Sequence, residues 1–179
     1  MSRALLIVDF QNDFTPGGAL AVDGGDAIAP RIEQLARSGD FGLVVATRDW
    51  HPPDHGSFAA QGGQWPVHCV QGTPGAELHP ALDLSLVDII VDKGQDPAAP
   101  GYSGFEATGL EELLREHAIE RVTVVGLATD YCVLNTALDA LRRGLGVTVD
   151  STAVRPVELQ PGDGERALEQ VRAAGGSIA

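Results

Sequence analysis

Basic residues are scarce in this sequence: 12 Lys and Arg stand against 25 Asp and Glu, a formal net charge of −13. A surface that binds phosphate needs the opposite excess, so no nucleic acid and no anionic membrane is expected as a partner. Cysteine is scarcer still. Two in 179 residues, with no CxxC, exclude a disulfide framework and a thiolate zinc site, and suit a reducing, cytoplasmic setting. No apolar run approaches the roughly 20 residues that a spanning helix needs. The leading run Leu5–Val8 is too short for a secretory h-region before Asp9 interrupts it. Internal repeats, linkers and low-complexity tracts are missing as well. What remains is one domain over residues 1–179, with 44% hydrophobic residues for a core.

Two kinds of segment alternate along the chain. Ala4–Asp9, Phe41–Thr47, Val87–Val91, Arg121–Gly126 and Gly146–Asp150 are short apolar runs rich in β-branched residues, the pattern of buried parallel strands; Ser177–Ala179 is a candidate sixth. Asp26–Arg37 carries Ile28, Ile32, Leu35 and Ala36 on one helical face. Thr108 and Glu111 have capping-box spacing and open a helix to about His117. From Asp130 to near Gly144, Val133, Leu134, Ala137, Leu138 and Leu141 recur at helical spacing, and Glu165–Ala174 is a last helix. Gln11–Gly25, Trp50–Leu84 and Gln95–Gly104 are Gly/Pro-rich loops, the middle one long enough to suggest function. The alternation predicts an α/β fold: a three-layer, doubly wound, mostly parallel sheet with helices on both faces.

In such a sheet ligands bind beyond the carboxyl ends of the strands. Strand one ends in Asp9, strand two in Asp49, strand three in Lys93, and strand four in the turn before Cys132. Thr129 or Asp130 is placed to cap the helix that follows, so Cys132 falls in a helix's opening turn. Its dipole and free amides favour an anion there, which lowers a thiol's pKa and makes it a nucleophile. The alternative is a small apolar Cys packed under the sheet. A thiol, a carboxylate and an ammonium delivered to one edge from separate places look like an activated nucleophile with a base and an orienting charge.

A second constellation lies beside them. Asp49 and His51 are two residues apart and point to the same side of an extended chain, and His55 and His68 follow in the long loop. Carboxylate and imidazole donors suit one divalent metal ion, Zn²⁺ first, with Fe²⁺ or Mn²⁺ open. The alternative has Asp49 pair with His51, and His68 pack beside Trp65. Cys69 reads as a packing residue, and His79 and His117 as structural or exposed.

Together these motifs resemble a known family. Asp9-Phe-Gln-Asn-Asp-Phe14 with Gly17-Gly18, Asp49-Trp-His51-Pro, Trp65-Pro-Val-His68-Cys, Lys93-Gly, Tyr102-Ser-Gly-Phe105 and Gly126-Leu-Ala-Thr-Asp-Tyr-Cys132-Val run in the order found in nicotinamidase/pyrazinamidase enzymes, isochorismatase-like cysteine hydrolases. The resemblance implies hydrolysis of nicotinamide to nicotinate and ammonia in NAD salvage, with pyrazinamide as a second substrate. It implies Cys132 as nucleophile, Asp9 as proton-transfer residue and Lys93 as third member. Asp49, His51 and His68 fall on the metal ligands; His55 comes sooner than the family's occasional fourth ligand and is kept as a candidate fourth, the alternative being that it holds a metal-bound water. The Leu127–Ala128 bond falls on a cis peptide, the amides of Ala128 and Cys132 on oxyanion donors, and Phe14, Trp65, Tyr102 and Leu127 on the substrate pocket. Self-association is left open.

Two rivals remain. An amidase of the same superfamily acting on ureido or carbamoyl substrates would share the triad, but would leave the Asp49-His51-His68 set without a ring nitrogen to hold. A non-catalytic metal-binding or thiol-redox protein would need neither Asp9 nor Lys93.

Overall fold

A computed structural model describes residues 2–179. Six strands, β1 (Ser2–Val8), β2 (Leu43–Asp49), β3 (Ile89–Lys93), β4 (Ile119–Leu127), β5 (Gly146–Arg155) and β6 (Ser177–Ile178), form one sheet in the order β3-β2-β1-β4-β5-β6. Every neighbouring pair is parallel. The α-helices are α1 (Ala29–Ala36), α2 (Leu110–Glu116), α3 (Leu134–Arg142) and α4 (Asp163–Ala173). No helix among the described residues is long and apolar enough to cross a membrane.

Strand alternation sorts the core into two faces. Ala4, Leu6, Val8, Val122 and Val124 point to the side covered by α2, α3 and α4, with Leu110, Leu114, Ala137, Ala140 and Val171 packed on them. Leu5, Ile7, Val44, Ala46 and Val125 point the other way, where Ile28 and Ile32 of the α1 region meet loop residues such as Phe10, Val22, Ala76 and Leu82. The three layers are those the sequence predicts, although one face is covered by a single helix and ordered loops. The connection from β2 to β3 carries only short 3-10 turns, at Ala59–Gln61, Pro74–Ala76 and Leu84–Leu86.

Several expected boundaries move, each for a local reason. β2 and β3 run on to Asp49 and Lys93 because these two residues pair with each other in the ladder, beyond the end of the apolar run. β5 continues to Arg155 through an irregularity: Val124 pairs with Val149, but Gly126 pairs with Val154. α1 is preceded by a 3-10 turn, Gly25–Ile28. The expected capping box at α2 does not form as such. Gly109 is the N-cap residue, while Thr108 Oγ1 donates to Gly104 O at 2.5 Å and accepts the Leu110 amide at 3.3 Å.

The strand order places a switch point between β1 and β4: the chain winds outward one way to β3, then returns to build β4 to β6 on the other side. Loops leaving β1 and β4 diverge there and open a crevice at their carboxyl ends. Gly126 makes the approach possible, since a Cβ on it would sit 2.0 Å from Val8 O, and its φ is +113°.

Candidate active site

Asp9 follows β1 directly, fully buried and with φ 46°, which turns the chain away from the sheet. Its Oδ1 accepts a hydrogen bond from Thr47 Oγ1 at 2.7 Å, and its amide donates to Thr47 O at 3.1 Å. Lys93 reaches in from β3. Its Nζ lies 2.7 Å from Asp9 Oδ2, 2.6 Å from Asp49 Oδ1, 2.8 Å from Gly101 O and 3.4 Å from Cys132 Sγ. The three ammonium protons go to Asp49, Gly101 and Cys132, and Asp9 Oδ2 is held by charge alone, all away from water. Donor atoms of Asp9, Asp49 and Cys132 lie within 4.8 Å of one another. The structure therefore brings Asp9, Lys93 and Cys132 together.

The charges of this cluster compete. Burial pushes the Asp9 carboxyl up and the Lys93 ammonium pulls it back; with Asp49 adding to the push, it settles at about 6. Burial would also raise Asp49, but Lys93 and His51 outweigh it and hold that carboxyl well below the usual range. Lys93 is opposed by burial yet kept charged by Asp49, Asp9 and Cys132. The Cys132 thiol is pushed well above its ordinary value, by burial first and then by Asp9 and Asp49, against Lys93. A lowered thiol pKa was the expectation from the helix start; full burial beside two carboxylates reverses it.

The turn bearing Cys132 is a single π-helical turn, Thr129–Val133, ahead of α3. The carbonyl of Ala128 accepts the amides of Tyr131 and Val133, each at 3.1 Å. Neither expected cap is used. Thr129 Oγ1 is buried without a partner among the described residues. Asp130 turns instead to the C-terminal segment, accepting the Val157 amide at 2.8 Å and the Glu158 amide at 3.0 Å. The Leu127–Ala128 peptide is cis, at the bond the resemblance singled out.

Asp49, His51 and His68 converge, with donor atoms within 4.8 Å of one another and Asp49 Oδ2 3.4 Å from His51 Nε2. Their hydrogen bonds fix which nitrogens are free. His51 Nδ1 meets Gly94 O at 2.7 Å, and His68 Nδ1 meets Pro66 O at 2.7 Å. A carbonyl only accepts, so each Nδ1 carries a hydrogen and Nε2 is the nitrogen each ring can offer to a metal. Two imidazole nitrogens and a carboxylate oxygen make a donor set suited to a divalent ion.

His55 stands apart. Its ring lies 4.0 Å from that of His51, but it is outside the converging three. Its Nδ1 accepts the Ser57 amide at 3.3 Å and faces Ser57 Oγ at 2.7 Å. Its Nε2 is buried without a partner among the described residues.

A small pocket opens onto the sulfur. Cys132, Ala128, Asp49 and His68 form its base, and Phe14, Trp65 and Tyr102 line it as expected. Trp65 Nε1 donates to Tyr102 OH at 3.0 Å, and Phe14 lies against His68 with ring centroids 5.5 Å apart. Leu127 is not brought to the pocket: it is fully buried in the core on the α1 face.

An isochorismatase-domain family model matches residues 3–179. The chain belongs to the isochorismatase family. A nicotinamidase/pyrazinamidase of Mycobacterium tuberculosis is 50% identical over 162 residues, covering 84% of this chain and 86% of that protein. The crystal structure of a pyrazinamidase of Pyrococcus horikoshii in complex with zinc superposes with a TM-score of 0.93 at 46% identity, covering 100% of this chain and 99% of that one. An L. infantum protein crystallised in complex with nicotinate superposes with a TM-score of 0.94 at 36% identity, covering 99% and 92%.

In this isochorismatase-family chain the sequence reading missed several parts of the site. Leu20, Tyr131 and Val157 line the pocket as well. Tyr131 precedes Cys132 in a motif, a signal that was open to use; Leu20 and Val157 carry none. Gln11 was also overlooked. Fully buried, its side-chain amide accepts from Asp49 N at 2.8 Å and donates to Asp49 O and Ala76 O, both at 2.8 Å, extending the sheet's pairing past the end of β1. Cys69 is a core residue, as expected, and its amide donates to Asp13 Oδ2 at 2.7 Å.

Proposed function

We propose that this chain is a nicotinamidase, a hydrolase that converts nicotinamide to nicotinate and ammonia in the cytoplasm as part of NAD salvage and also accepts pyrazinamide. The observation that carries the reading is Lys93 Nζ bridging Asp9 at 2.7 Å and Cys132 at 3.4 Å, with Cys132 in the lining of an aromatic-walled pocket. The zinc complex of the Pyrococcus horikoshii pyrazinamidase and the nicotinate complex of the L. infantum protein support it.

On this reading Cys132 is the nucleophile and Asp9 its base. A carboxyl near 6 is mostly ionised at neutral pH and can take the thiol proton. The Cys132 thiol lies well above its ordinary value, so it rests protonated and the transfer to Asp9 is uphill until the substrate takes up the charge. Lys93 stabilises the thiolate as it forms. The sulfur attacks the carboxamide carbon, and the amides of Ala128 and Cys132 receive the charge on oxygen. Asp9 then returns its proton to nitrogen, the C–N bond breaks, ammonia leaves and a thioester remains. Ionised again, Asp9 deprotonates the water that attacks the thioester; the C–S bond breaks, the acid leaves, and Asp9 returns the proton to the Cys132 sulfur.

Asp49, His51 and His68 would hold one divalent ion, zinc in this proposal, which supplies a Lewis-acidic anchor for the ring nitrogen. His55 would donate from Nε2 to a water at that ion instead of binding it directly. Phe14, Trp65 and Tyr102 would face the flat ring and keep bulk water out. The test is ammonia release from nicotinamide, pyrazinamide and N-carbamoyl compounds, with and without a chelator. Turnover of nicotinamide that chelation abolishes and zinc restores is expected. Cys132→Ala should abolish ammonia release while keeping its fold and metal content; substantial turnover by that variant would overturn the assignment.

A further inference from the structure

Val157 lies in a stretch of sequence without a motif, yet it lines the pocket beside Ala128, Tyr131 and Cys132. The sheet does not put it there, since β5 ends at Arg155. Asp130 does. One carboxylate accepts the amides of both Val157 and Glu158, at 2.8 and 3.0 Å, so the turn carrying Cys132 grips the segment that supplies this part of the lining. The far side of that segment is anchored too. The carboxylate of Glu158, a residue at φ 60°, accepts the amides of Gly162 and Gly164 at the start of α4. Pro156 packs so closely on Gly164 that a Cβ there would come within 2.8 Å of it.

Two aliphatic side chains line the pocket besides Ala128, and they differ in rigidity. Leu20 is held through its amide, which donates to Asp13 O at 2.9 Å, but its side chain branches one carbon later and turns about two torsions, so it can yield where a valine cannot. Val157 is β-branched, with a stiff side chain on a backbone tied down at both ends. We infer that Val157, locked in place by Asp130, is the specificity-determining wall that limits the bulk a substrate ring can carry on the edge facing it. The inference rests on the amidase reading above and adds to it: unsubstituted pyridine and pyrazine carboxamides fit, and a ring methyl directed at Val157 is rejected. Val157 acts by contact with substrate, whereas Asp130 is a positioning residue acting through it.

The experiment compares kcat/KM for nicotinamide with that for its 2-, 4-, 5- and 6-methyl derivatives. In the wild type at least one methyl position should cost about tenfold or more, the usual worth of one methyl group in a tight pocket. Val157→Ala should recover that position by about tenfold relative to nicotinamide. Asp130→Ala should move the same ratio in the same direction, and Asp130→Asn, which keeps one carbonyl acceptor for the two amides, should move it less. Ratios for Val157→Ala equal to wild type at every ring position would overturn the inference. A shift with Val157→Ala but none with either Asp130 variant would overturn the locking role; if Asp130→Ala does not fold, Asp130→Asn decides. If the wild type releases no ammonia from nicotinamide, the amidase reading fails separately. Calorimetric titration of wild type and Val157→Ala with nicotinate and its methyl derivatives then decides. Equal discrimination, or no binding by either, overturns the inference.

Discussion

Thr47→Val removes one hydrogen bond from Asp9 and leaves the surrounding backbone pairing in place. Thr47 is fully buried in β2; its hydroxyl donates to Asp9 Oδ1 at 2.7 Å and accepts the Asp9 amide only at 3.3 Å. The Asp9 amide keeps its bond to Thr47 O, and valine keeps the β-branched shape. A hydrogen bond to a charged acceptor is worth about 1.5–3 kcal/mol, which corresponds to an upward move of roughly 1–2 in the Asp9 pKa. The sign follows from the mechanism. Asp9 must be ionised to take the thiol proton, so raising its pKa moves the acid limb of kcat/KM to higher pH. From a start of about 6, the ionised fraction at pH 7 falls from roughly nine-tenths to between a half and a tenth. Activity on nicotinamide at pH 7 should therefore drop about two- to tenfold and recover as the pH rises to 9. A bound metal ion adds the same charge to both proteins, so the difference between the two profiles survives its presence. The assay is kcat/KM from pH 5 to 9 for both. An acid limb that does not move, or a loss equal at every pH, would refute the role given to Asp9.

Two further outcomes follow from contacts around the site and sheet. Gly94→Ala would place a Cβ 2.5 Å from His51 Cε1 at a backbone φ of +66°, disturbing the carbonyl that fixes the His51 tautomer. Zinc affinity measured by chelator competition should fall about 10- to 100-fold, and wild-type affinity would count against His51 as a ligand. Asp150 is buried on β5, takes two bonds from Arg31 at 2.9 and 2.7 Å and two from Thr152, and is held below the usual carboxyl range, its burial being outweighed by these partners. Its stabilisation is complete above the unfolded value of 3.8 and is lost as the pH falls through the lower folded value. Asp150→Ala should cost about 1–2 kcal/mol in urea denaturation at pH 7, Arg31 being partly exposed. The gap should close in strong acid; a gap that persisted there would contradict the linkage.

The succession of strands and helices along the chain, and three of the residues gathered at the sheet's edge, were legible because each such residue lies at or just past the end of a run the eye can find. A β-branched run that stops at a charge locates Asp9, Asp49 and Lys93 without any knowledge of pairing. The limits of β2 and β3 were hidden, because the Asp49–Lys93 pairing is a property of two strands together, and so was the run of β5 on to Arg155. Asp49 and His51 of the converging donor set were legible for the same local reason, an Asp and a His at strand spacing. Contacts that cross the chain were not. Gln11 reaches 38 residues to Asp49, and Asp130 reaches 27 to Val157, with no periodic trace in either segment. Leu127 was misplaced because its neighbours face the site; at the cis-linked step from β4 its own side chain points into the core.

The thiol is where position in the sequence misled most, and the reason bears on mechanism. A helix start contributes a fraction of a charge at the edge of one turn. Cys132 also meets two carboxylates and one ammonium inside a fully buried cluster, and those whole charges decide the outcome. Lys93 cannot neutralise Asp9, Asp49 and a thiolate at once, so with Asp49 ionised the cluster has room for only one further negative charge. That charge sits on Asp9 at rest and on sulfur at the moment of attack. In the proposed mechanism the reactive element is therefore a single proton shared between Asp9 and Cys132, whose position the Lys93 ammonium and the Thr47 hydroxyl adjust, and the nucleophile exists only when a substrate is there to be attacked.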